Sequence, residues 1–148
     1  MTRKKWSSPL AIYEFISLKC VSQNEIGGDE IFVEYVGEQV FPRAGFQAQF
    51  MTGTALVNVD ADLADLVRPS YLEVPGAHPV AEYEGVENFL RVDVPDHGLV
   101  VEVWEHDILT RNDLMGKIVV FPTRTKGPVV KLLDRALTGV YELTYQVI

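Results

Sequence analysis

Glu105, His106 and Asp107 close an apolar run, and Arg111, Asn112 and Asp113 lead back through Leu114 and Met115 to Gly116. Three carboxylates on one hairpin repel one another unless something sits between them. The chemistry on offer is that of carboxylate oxygens gathered around a partner of opposite charge. Whether they can be gathered depends on the elements that position them.

Those elements must come from a chain of ordinary globular make-up. Its 148 residues are 47% hydrophobic and 23% charged, enough for one domain with a real core. The formal net charge of −8 argues against a surface that tracks nucleic-acid phosphates, and an anionic membrane would need a local basic patch or a bound cation. Cys20 is the sole cysteine, so no internal disulfide supports the fold. No signal peptide and no run long enough to span a bilayer are read, which gives a cytoplasmic location as the expectation, with peripheral contact to a membrane.

The periodicity is that of strands. In IYEFISLKCV, Ile12, Glu14, Ile16, Leu18 and Cys20 alternate with Tyr13, Phe15, Ser17, Lys19 and Val21. EIFVEYV, VGEQVF, TGTALVNVD, LRVDV, LVVEVW and GKIVVF read as further strands, and VYELTYQVI closes the chain with Tyr141, Leu143, Tyr145 and Val147 on one apolar face. Seven or eight short strands separated by turn signals predict an all-β fold, an antiparallel sandwich. Two segments, DADLADLV and PVVKLLDRALTG, carry helical spacing and predict one or two short helices. Residues 1–10 read as a flexible basic tail, 11–148 as the domain, and the stretch around 67–88, rich in proline and glycine, as a long loop or insertion.

The run Val103, Trp104, Glu105, His106, Asp107, followed by Arg111, Asn112, Asp113, Leu114, Met115 and Gly116, resembles the last calcium-binding hairpin of C2 domains, the calcium-dependent lipid-binding modules. Its one departure at a ligand position is Glu105, where the family has aspartate. A second stretch, EIGGDEIFVEYVGEQVF, is similar to the end of the family's first calcium loop, with Asp29 at the aspartate position, and the whole looks like single-domain bacterial relatives. The other acid of that loop falls on Gln23 by strict spacing, and on Glu25 if the loop is shortened.

The resemblance implies an eight-stranded Greek-key sandwich whose loop ends bring Asp29, Glu105, Asp107 and Asp113, with Glu25 as a fifth, around Ca²⁺. Calcium takes six to eight oxygens in forgiving geometry, and an open cup of this kind binds weakly, on the order of 10⁻⁴ M or worse. Leu109, at the loop tip, and Arg111 would meet the lipid or partner. The function implied is a non-catalytic, calcium-responsive module for an anionic membrane surface or a protein partner. The competing expectation is an assembly protein that makes protein contacts through the 67–88 segment without calcium.

Other candidates carry bland readings. His78, His97 and His106 lack zinc spacing, and His106 alternates with its acidic neighbours so as to point away from the cup. Asp60, Asp62 and Asp65 read as a solvated strand end or helix start, and Cys20, Trp104, Tyr141, Tyr145 and Met115 as core. No nucleophile elbow, phosphate loop or Cys–His pairing is present, so no enzyme is expected.

Overall fold

A computed structural model describes residues 10–61, 76–107, 111–135 and 138–148. Eleven strands run in the order β1 (Ile12–Ser22), β2 (Asp29–Tyr35), β3 (Glu38–Phe41), β4 (Ala48–Phe50), β5 (Ala55–Val57), β6 (Ala77–Pro79), β7 (Arg91–Asp93), β8 (Leu99–Glu105), β9 (Asp113–Val120), β10 (Val129–Leu133) and β11 (Val140–Val147). One sheet has the order β10-β11-β1-β5-β6, with β7 also on β1; the other has β3-β2-β8-β9, with β4 also on β2. Inward residues of both sheets form one core, so the all-β sandwich stands.

Eight strands and a Greek key do not. The count rises because long strands face pairs of short ones. On β1, β11 holds one edge, while β5 pairs at Ser17–Lys19 and β7 at Ile12–Glu14 on the other. Asn58 fills the gap between them, its side-chain amide donating to the Phe15 carbonyl at 2.8 Å. Pro42 has no N–H for a ladder, and the chain bulges out there between β3 and β4. The β6 strand adds a parallel edge beside β5.

The helix expected over 128–139 is a strand instead. Val129 to Leu133 pair antiparallel with Tyr145 to Tyr141, and that register outweighs the helical spacing of a sequence that begins with two β-branched valines. The described residues contain only a 3₁₀ turn, Val80–Glu82. With β6 it orders part of the segment expected as a loop. The other expected helix lies mostly in 62–75, outside the described residues, as does the tail over 1–9.

Two face assignments also change. In β1, a register shift between Phe15 and Ser17 sends Tyr13 and Phe15 into the core along with Leu18 and Cys20. Trp104 lies on the outer face of its sheet, opposite Phe32, and stacks on that ring at 6.2 Å rather than joining the core. The inward face of β11 is as expected, and Cys20 and Met115 are buried. No helix among the described residues is long and apolar enough to cross a membrane.

Candidate functional site

The alternation that builds β2 and β8 also places two acids in the interior. Asp29 has the parity of Ile31, Val33 and Tyr35; Glu105 has that of Leu99, Val101 and Val103. Ile31 is the register partner of Glu105, so Asp29 and Glu105 sit on adjacent strands where the core meets the loops. Asp29 is 0% exposed and Glu105 is 1% exposed.

Their surroundings differ sharply. The Asp29 carboxylate accepts the backbone N–H groups of Asn24 and Glu25, each at 3.0 Å, and the Tyr141 hydroxyl at 2.7 Å. It therefore organises the β1–β2 loop and ties it to the last strand. Gly139 belongs to the same arrangement: a Cβ there would lie 2.7 Å from Asp29 Oδ2. Neither Tyr141 nor Gly139 was expected at the site. Tyr141 looked like plain core, and only its place at the loop end of β11 distinguishes it.

Glu105 has no such support. Neither oxygen has a hydrogen-bond partner among the described residues. Burial, the adjacent Asp29 carboxylate and the charges of Glu25 and Asp113 push its pKa up to about 8. The contrast with Glu14 is instructive. Glu14 is equally buried, but it takes two hydrogen-bonding contacts from Arg91, at 2.6 and 2.7 Å, and a third from Gln146 at 2.7 Å. An unpaired buried carboxylate is costly enough to take up a proton or a cation.

The other expected ligands lie at the same end. Asp113 opens β9 as the register partner of Glu105. Glu25 is exposed on its loop; partial desolvation and then the charges of Asp107, Asp29, Glu30 and Asp113 raise its pKa. Asp107 is fixed by its N–H to Asn112 Oδ1 at 3.1 Å, and the preceding N–H, of His106, reaches the Glu30 carbonyl at 2.7 Å. All five acids thus share one electrostatic neighbourhood. Among the described residues, however, no three histidine, cysteine or acidic side chains stand close enough together to hold a metal ion.

Gln23 has a structural use. It accepts the Thr52 N–H at 2.9 Å, its own N–H goes to the Thr52 hydroxyl at 3.0 Å, and its amide nitrogen donates to the Glu25 carbonyl at 2.8 Å. These bonds join the β1–β2 loop to the β4–β5 turn and leave Glu25 as the acid of the loop. Among the described residues, Ile26 at 106% and Met51 at 49% exposure project at this end. Leu109 lies outside the described residues, and Arg111 borders a recess beside Asp113.

The arrangement can do two things chemically: hold a proton between buried carboxyls, or exchange it for a hard cation. In comparisons with known proteins, no family model matches the chain and no curated protein matches it.

Proposed function

We propose that the chain is a C2-type, non-catalytic binding module in which calcium recruits an anionic membrane surface. One observation carries the reading: Glu105 is a buried carboxylate that receives no N–H or hydroxyl donor among the described residues and lies against the Asp29 carboxyl, at an end of the sandwich bearing three more acids. Glu105, Asp107 and Asp113 on the β8–β9 side and Asp29 and Glu25 on the β1–β2 side supply the oxygens. The side chains would have to move to surround an ion, whose coordination is forgiving. The ion reverses the sign of the local field and shares its open positions with lipid phosphate or carboxylate oxygens. Ile26 and Met51 then face the interface as apolar tips, the part assigned by sequence to Leu109.

The test is sedimentation with vesicles of phosphatidylserine and phosphatidylcholine, in calcium and in chelator. Binding should require both calcium and phosphatidylserine and should vanish in Asp107→Asn/Asp113→Asn. Binding that is indifferent to calcium and to that double substitution would reject the reading.

A second reading is favoured by the lack of a closed metal-holding group among the described acids. It makes the chain an assembly protein in which the acids share protons and the 67–88 segment meets a protein partner. Deleting exposed residues of that segment would abolish partner binding on this reading and spare vesicle binding on the first.

A further inference from the structure

Beside the acidic loops, on the outer side of the β8–β9 hairpin, lies a recess of about 600 Å³. Trp104 and Leu114 supply apolar surface, while Arg111, Asn112 and Arg135 supply polar and cationic groups. Arg135 comes from the connection between β10 and β11, far in sequence from the hairpin it faces. Its backbone is held in place because Thr138 donates both its N–H, at 3.2 Å, and its hydroxyl, at 2.8 Å, to the Arg135 carbonyl. Among the described residues Arg135 itself has no carboxylate partner, whereas Arg111 is already engaged. The Asn112 oxygen is used by the Asp107 N–H, which leaves its amide nitrogen to donate.

The open Arg135 guanidinium, with the engaged Arg111 and the Asn112 amide beside it and an indole on the wall, suits a ligand rich in anionic oxygens. We infer that this recess binds a phosphate monoester, with Arg135 as its principal contact. A guanidinium fork fits phosphate oxygens in pairs, and the recess holds a headgroup-sized ligand. Asp113 also borders the recess, and its charge opposes an anion until a cation covers it. The inference rests on the calcium reading in this respect: Asp113 is shared, so calcium and the phosphate must each strengthen the binding of the other.

The chain has two tryptophans, Trp6 and Trp104, so a Trp6→Phe variant makes Trp104 the sole indole emitter and a direct reporter of the recess. The probe is sn-glycerol 3-phosphate, titrated with and without calcium, in that background and with Arg135→Gln added. The expected result is a saturable change in Trp104 emission, tighter in calcium, with half-saturation raised about tenfold by Arg135→Gln. Calcium binding measured without the phosphate should be the same in both proteins. Emission that does not respond to the phosphate while calcium binds normally would overturn the inference and leave the calcium reading intact. A response that depends on Arg135 without any calcium binding would keep the recess and remove the calcium reading. Vesicles containing phosphatidic acid give the source: loss of vesicle binding in Arg135→Gln marks a lipid headgroup, and unchanged vesicle binding marks a free phosphate ester.

Discussion

Tyr141 donates its hydroxyl hydrogen to Asp29 at 2.7 Å across 112 positions of sequence, joining the final strand to the loop end of β2. With two backbone N–H groups it satisfies a carboxylate that is wholly removed from water. Asp29 is thereby held ready, while Glu105, one strand away, has no N–H or hydroxyl donor among the described residues.

Removing that hydroxyl should loosen the site from below. Tyr141→Phe removes the shorter of the two donors to Asp29 Oδ2, leaving it the Asn24 N–H at 3.2 Å, a loss of roughly 1–3 kcal/mol, or about 3–10 °C in Tm. Thermal unfolding followed by circular dichroism checks this. An unchanged Tm would mean that water or a rearranged loop replaces the hydroxyl.

Glu105 should make stability depend on pH. Its folded pKa of about 8 lies above the ordinary 4.5, so between those values the folded state holds a proton that the unfolded chain has released. Without metal, stability therefore falls as pH rises across that window, by at most about 5 kcal/mol in all, and levels off above it. Glu105→Gln keeps the shape and removes the ionisation, so its Tm should be flatter from pH 5 to 8.5. Urea denaturation at three pH values in both proteins reads the difference; parallel curves would refute it.

Gly139 is a point where any side chain collides. A Cβ would stand 2.7 Å from Asp29 Oδ2 and 2.8 Å from the Ser22 carbonyl. Gly139→Ala should cost about 1–3 kcal/mol through overpacking and should weaken calcium binding by displacing the Asp29 carboxylate. Calorimetric calcium titration of this variant, with Gly37→Ala as a control that strains the backbone at a φ of 79° without any Cβ clash, separates a local effect from general destabilisation.

Ile26 and Met51 should matter only at a membrane. Burying each side chain contributes about 1.5–3 kcal/mol, so replacing either with serine should weaken calcium-dependent vesicle binding about tenfold or more and leave Tm unchanged. Sedimentation of the two variants, with equal retention as the contrary outcome, checks this.

Much of the sandwich was legible because a strand buried on one face writes its alternation plainly, as β11 does. The misreadings arose where a nonlocal effect intervenes. A bulge after Phe15 moves the next residues of β1 to the other parity, and pairing with β11 turns a helical pattern into β10. Reading Trp104 as a core aromatic on an alternating position puts it on the wrong face, since its parity opposes that of Val101 and Val103. At the site, the acids came from spacing and resemblance, and the burial of Glu105 was also readable, since it continues the inward face of β8. What no local pattern showed is which buried acid is satisfied. Tyr141 and Gly139 reach Asp29, and Arg91 reaches Glu14, only through the tertiary fold.

The most direct test is calcium titration of metal-stripped protein at pH 8.5, following thermal unfolding with magnesium as control. At that pH more of Glu105 is ionised than at neutral pH, so the ion meets less competition from its proton. The account predicts a calcium-specific rise in Tm that grows with concentration through the millimolar range and disappears in Asp107→Asn. No rise at millimolar calcium, or an equal rise with magnesium, would contradict it.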